Sequence, residues 1–391
     1  VQFVRLGTCL FLIVSWLAGV CIPAAEAAEE TWSSRISLQW KYDDNINYSS
    51  RNKVRDWIYE VRPELTWRHR TERDDLRFTA RLLGQKYDTE GELDTLDQDY
   101  RLEASSQLWP TLNLSFDGSY RKDTTLDSEL SEEGILLFRE DRKTYRMNPS
   151  VRWQATERSA WQMSLPFRQE DYGGQYDDYD YKSTATYLEY SRMLADNRTH
   201  IFVQPGFSYD DFETGDTHTY EMMCGVDRAF SERLTLHAGG GVYLSHIKED
   251  TKTSSETGFV ASVEAQGKLE RGRWRARYIR DVYPGGIGRT VLRDRVALKG
   301  MYRMTERLLL IGQTSFTDVR SQGDGDHGYY GHYEYSDDYW TLSVRPGLVY
   351  RMTEHTNLGI YYYHSFVDYQ ENDQSYRRNM FWIRLDFTSI L

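Results

Sequence analysis

Arg273, Arg275 and Arg277 recur at every second position, and Arg293, Arg295, Lys299 and Arg303 keep the same phase in the segment that follows. A spacing of two puts side chains on one face of an extended strand. Guanidinium groups stay charged at any working pH and present a fork of donors to oxyanions, but they make and break no bonds by themselves. The chemistry they offer is the non-covalent handling of anions. Arg62, Arg77, Arg81, Arg146, Arg152, Arg345 and Arg384 fall on the corresponding phase of their own segments. Tyr243, Tyr361, Tyr363 and Trp382 share it too, and aromatic rings there could stack against sugars.

Motifs of covalent chemistry are missing. The chain has no H-E-x-x-H, no P-loop and no G-x-S-x-G. Tyr283-Pro-Gly-Gly-Ile-Gly288 lacks the Lys-Ser/Thr of a phosphate loop and reads as a connection. Asp324, Asp326, His327, His332 and Glu334 crowd one loop, where solvation is the commoner outcome than a divalent cation. No catalytic residue, metal or cofactor is therefore expected, although an outer-rim lipase needs no tell-tale spacing. No nucleic acid is expected as a partner.

The elements that would position the arginines are legible in Asp56 to Arg70, DWIYEVRPELTWRHR. Trp57, Tyr59, Val61, Pro63, Leu65 and Trp67 make one apolar face, while Glu60, Arg62, Glu64, Thr66 and Arg68 make an ionic one. Aromatic rings at both ends of an apolar face are the pattern of a strand crossing a bilayer. Similar alternation recurs in about eighteen segments, from Trp32 to Tyr42 through Trp161 to Glu170 and Tyr181 to Met193 to Asn379 to Leu391, with sixteen as the alternative. At roughly 3.3 Å rise and about 40° of tilt, a segment of about twelve residues reaches about 30 Å, enough for the apolar band.

Short connections (ATER, FSER, MTER, MTEH) alternate with long acidic ones such as Lys122 to Arg142 and Asp318 to Asp338. The expected fold is all-β, a transmembrane antiparallel β-barrel with short periplasmic turns and long extracellular loops. A soluble sandwich or propeller would need shorter strands. Closure would pair every backbone group, as lipid demands.

Arg5, the apolar run Leu10 to Val20 and Ala25-Glu26-Ala27 read as a signal peptide over residues 1–27, leaving 28–391 as the barrel. Cys9 and Cys21 would leave with the leader. Only Cys224 then remains, so no intramolecular disulfide is expected. Val20 is too large for a lipoprotein box before Cys21. Phe381, Ile383, Leu385, Phe387 and Leu391 share one parity, as in the C-terminal signal of outer-membrane barrels, with Ser389 as an interruption.

If the apolar parity faces lipid, the other faces a bore richer in Lys and Arg than in Asp and Glu. The surplus acid would lie in the loops. Lys122 to Arg142 holds seven acidic and three basic residues. Such a bore would concentrate anions. The alternative is that the arginines pair with Glu60, Glu64, Glu103, Asp117 and Glu264 to brace the wall. For Tyr361-Tyr362-Tyr363 the alternative is an interface belt of the opposite parity.

Tyr42-Asp43-Asp44-Asn45-Ile46-Asn47, followed by Asp56-Trp57 and Arg62-Pro63, resembles the outer-membrane β-barrel porin family found with exopolysaccharide export systems. The resemblance implies a Gram-negative outer-membrane pore through which a secreted polysaccharide leaves, working beside periplasmic export proteins, without catalytic residues. A general or anion-preferring diffusion porin is the second reading. An outer-membrane enzyme or adhesin on a barrel scaffold is the third.

Overall fold

The computed structural model describes residues 28–125, 139–173, 179–213, 215–249, 253–285, 289–322, 338–369 and 374–390. The expected leader, most of Lys122 to Arg142, the crowded Asp324 to Glu334 loop and Leu391 lie outside them. The strands are β1 (Glu29–Asp43), β2 (Asp56–Arg70), β3 (Asp74–Tyr87), β4 (Thr95–Trp109), β5 (Leu112–Thr124), β6 (Asp141–Thr156), β7 (Ser159–Ser164), β8 (Phe167–Tyr172), β9 (Tyr181–Met193) and β10 (Thr199–Phe212). They continue as β11 (Gly215–Ser231), β12 (Leu234–Glu249), β13 (Thr253–Leu269), β14 (Gly272–Gly285), β15 (Arg289–Arg303), β16 (Leu308–Ser321), β17 (Tyr339–Arg351), β18 (Thr356–Tyr369) and β19 (Gln374–Ile390).

Apart from β7 and β8, each strand pairs antiparallel with the next, and β19 pairs with β1 from Ser33↔Ile390 to Asp43↔Met380, so the sheet closes on itself. β7 and β8 stack end to end between β6 and β9, giving a closed barrel of eighteen staves. The expected stave Trp161 to Glu170 is therefore one stave in two pieces. Pro166 has no N–H and Pro149 faces the gap from β6, so the ladder loses two donors at one level. Leu165 N–H donates to Pro149 O at 3.0 Å, and Ala185 N–H to Pro166 O at 2.9 Å, which carries the pairing across the break.

The alternation sorts side chains as two solvents would. On the outer phase Val61 is 50% exposed, Val296 50% and Ile360 43%, whereas Glu60, Tyr361 and Thr317 on the inner phase are 4%, 3% and 0% exposed. Outer aromatics pair at both ends of the wall: Trp32 with Trp67 at 6.2 Å, and Trp57 with Trp40 and Tyr42 at 5.2 and 5.1 Å. Cys224 is exposed on the outer phase. The start of β1 and the end of β19 lie at one rim, which we call the terminal end, and the opposite rim is the loop end. Strands often run past their apolar alternation; β13 begins at Thr253 rather than at Phe259, because backbone pairing continues after the apolar face stops.

The inward ring of Tyr361 lies over glycines, Gly347 on the neighbouring stave and Gly359 on its own. A Cβ built on Gly347 would stand 2.5 Å from Tyr361 Cδ1, and one on Gly359 would stand 2.4 Å from its Cε2. Gly347→Ala is therefore expected to drive Tyr361 off the wall, destabilising the barrel by about 1–3 kcal/mol. A Tyr361→Ala background should remove most of that cost. Urea midpoints of the single and double variants check it, and an equal loss in both backgrounds would contradict the ring contact.

Candidate functional site

All fourteen basic residues and four aromatics singled out by phase sit on the inner register, interleaved with carboxylates that the same phase carries. Arg81 lies between Glu64 at 2.8 Å and Asp99 at 3.2 Å, and Arg77 is 3.6 Å from Glu103. Arg62 is 3.8 Å from Glu60, Arg146 is 3.8 Å from Glu170, and Arg384 is 2.9 Å from Asp386. Arg275 and Arg277 share Glu264, at 3.4 and 3.7 Å, while Arg293 pairs with Asp281 at 2.8 Å. Arg295 stands opposite Thr317, and Lys299 between Arg275 and Gln313. Arg273 donates to Met301 Sδ at 3.1 Å, and Arg152 and Arg303 are exposed. Arg345 has no ion-pair partner among the described residues; its guanidinium sits 5.1 Å over the Tyr363 ring.

The expected basic excess is thus largely balanced by pairing, with Glu60, Glu64, Glu103, Asp117 and Glu264 engaged as the bracing alternative has it. Other inward basic residues were passed over. Arg142, only 2% exposed at its side chain, joins Asp123 at 3.2 Å and Glu170 at 3.5 Å. Arg142 and Arg378 lie just beyond the apolar alternation of their strands, where no sequence signal marks the inner face. Arg168 was within reach of parity.

The aromatics are inside but their faces are taken. Tyr361 and Tyr363 are each 3% exposed while Tyr362 between them is 41% exposed, so the belt alternative fails for the outer two residues. Tyr361 stacks on Trp382 at 5.2 Å and 10°, with Arg384 4.8 Å over its ring. Tyr243 accepts a hydrogen bond from Gln322 at 2.9 Å. The four rings form no open platform for a sugar in this conformation.

Cavities occupy the bore. One, of about 830 Å³, opens toward the terminal end between Glu64, Arg77, Arg101 and Asp117. Arg81, Asp99 and Arg121 also line the next, of about 320 Å³, which reaches Arg62, Arg345 and Trp382. A third, about 500 Å³, lies beside His237, Glu264 and Arg277.

The loop end is crossed. Residues 44–55 turn inward from the β1 terminus, held by the Tyr42-Asp43-Asp44-Asn45 segment. Asp43 receives Arg378 Nε at 2.8 Å, and Asp44 receives the Asn379 backbone N–H at 2.7 Å. Asn45 accepts from Ser49 N–H and donates to Ser49 O and Arg377 O, each at 2.9 Å. Tyr48, at φ 51, is left-handed, and its hydroxyl donates to Ser365 at 2.7 Å. Burial pushes the Tyr48 phenol above its ordinary range, so it stays a neutral donor. Arg139 donates to Ile46 O at 2.9 Å and Tyr87 Oη at 3.2 Å. Arg168 on β8 reaches Tyr283 on β14, and Gln322 reaches Tyr243 on β12, so contacts span staves that are not neighbours.

No family model and no curated protein matches the chain. Among solved structures it is similar to the outer membrane protein OpdK of Pseudomonas aeruginosa, at TM-score 0.47 and 11% identity over 92% of this chain and 99% of that one. It is similar to OccAB3 of Acinetobacter baumannii, at 0.46 and 9% over 93% and 100%. The ferric-catecholate import receptor Fiu of E. coli K12 aligns at 0.45 and 9% over 92% and 82%. Likeness at this level carries nothing about cargo, which has to be argued from the lumen itself.

Proposed function

We propose that the chain is an outer-membrane channel for hydrophilic anionic cargo, with the acidic units of an exported polysaccharide as the cargo class and no covalent chemistry. The observation that carries this is the closed wall with an apolar exterior, aromatic pairs at both rims and charged cavities inside. Such an exterior is stable only against lipid, and closure leaves no strand edge to aggregate. The terminal end then faces the periplasm, where export proteins would hand over a polymer. The Tyr42 to Asn47 segment behind the family resemblance is, with Tyr48 after it, anchored to β18 and β19 at the loop end, in the way of a polymer leaving there. Passage requires that segment to swing out.

A diffusion porin for small anions is the second reading, favoured by the narrow cavity at Arg345. Planar bilayers with a tenfold KCl gradient test the shared claim: a reversal potential on the anion side is expected, and one on the cation side would contradict it. Deleting the gene separates the readings. Loss of surface polysaccharide is expected for an exit channel, whereas a normal polysaccharide coat leaves the small-anion porin.

A further inference from the structure

The cavity of about 320 Å³ concentrates an unusual imbalance of hydrogen-bonding groups. Arg62 Nε, Arg345 Nε and Trp382 Nε1 are buried N–H donors that find no acceptor among the described residues, and all three side chains line this one cavity. Buried donors without acceptors cost about 1–3 kcal/mol each, more when charged, and three of them belong to side chains around this one space. Glu60 stands 3.8 Å from the Arg62 Nη2 but leaves its Nε without an acceptor, and the carboxylates on this wall are engaged by other cations. Glu60 takes Lys41 at 2.6 Å and Gln85 at 2.9 Å, Asp99 takes Arg81 at 3.2 Å, and Asp123 takes Arg142 at 3.2 Å.

We propose that Arg62, Arg345 and Trp382 form a subsite for one oxyanion, best matched by the carboxylate of an acidic sugar. This rests on the channel reading and names the group that the lumen recognises. Arg345 lies 5.1 Å over Tyr363 and 6.0 Å over Trp382, which steadies its guanidinium plane. A guanidinium fork donates to both oxygens of a planar anion, and Arg345 has no ion-pair partner among the described residues to occupy it. Arg62 adds a second cation, and Trp382 a neutral donor. The volume is at the low end for small-molecule sites and suits a single sugar unit rather than a chain.

The test titrates the detergent-solubilised full chain with galacturonate, galactose and inorganic sulfate. Galacturonate is expected to bind and galactose to give no heat. Arg345→Gln should weaken galacturonate about 10- to 100-fold, the loss of a charged bidentate contact. Trp382→Phe keeps the ring and removes one donor, so a smaller loss is expected. Arg345→Lys keeps the charge without the fork and should restore only part of the affinity. Galacturonate tighter than sulfate supports a sugar acid as the source of the anion; sulfate as tight or tighter supports a free inorganic oxyanion at the same subsite. Equal binding of galactose and galacturonate, or an unchanged affinity in Arg345→Gln, would overturn the subsite. Because binding is read without conduction, its failure beside an anion-side reversal potential leaves the channel standing. Binding without any conductance does the opposite.

Discussion

Arg378→Ala is expected to cost the barrel about 3–5 kcal/mol, the largest single loss the structure supports. The Arg378 and Asp43 side chains are 1% and 0% exposed, and the pair bridges the seam where β19 meets β1. Removing the guanidinium strands a buried carboxylate at that seam and releases the Tyr48 ring, which Arg378 covers at 5.9 Å. The partnered variant Asp43→Asn with Arg378→Met should recover most of the loss, since it removes both charges instead of one. Urea midpoints of detergent-folded protein measure it. As a control, Lys122→Ala breaks a pair whose side chains are 39% and 61% exposed and should shift stability by less than about 1 kcal/mol. An Arg378→Ala midpoint within that range would show that the seam does not depend on the pair. The same variant should raise open-channel events, because residues 44–55 lose their anchor.

The second large effect is a pair of opposite shifts in ion selectivity. Arg275 and Arg277 face a single carboxylate, Glu264, and are 55% and 52% exposed to the bore at their side chains. Changing both to Gln leaves Glu264 unbalanced and removes two unit charges. At about 6 Å from a permeating ion and a water-like dielectric, two charges change its energy by about 1.4 kcal/mol, about tenfold in permeability ratio. Adding Arg295→Gln and Lys299→Gln should carry the shift further toward cations. Glu264→Gln alone should move it the other way, toward anions. Reversal potentials near 0.1 M salt read both, since screening at higher salt would flatten them. Equal shifts of the same sign, or no shift in either variant, would mean that permeating ions do not pass this stretch of wall.

Trp57 through Trp67 made the wall legible before any coordinate. Alternation with aromatic ends is a local property, because each side chain's face follows from its place in the chain once the strand exists. The same logic put Arg62, Arg77, Arg275 and Arg345 inside. Asp56–Arg70 and Tyr181–Met193 even keep their bounds. Where alternation fades near the rims, so did the reading, and Arg142 and Arg378 were passed over for that reason.

Sequence by itself thus determined which parity faces outward, that the staves must close, and that the fourteen cations singled out by phase face the bore, since two solvents on either side of a pleated strand leave no other sorting. Tertiary structure decided how those cations are spent. Pairing depends on which residue of a neighbouring stave stands opposite, and a register such as Arg81 against Glu64 is set by the whole ring of strands. It also decided that Asn45, Ile46 and Tyr48 fold inward beyond β1 and that Arg62, Arg345 and Trp382 share a cavity. Those residues are far apart in the chain, and only barrel closure brings β2, β17 and β19 around one space.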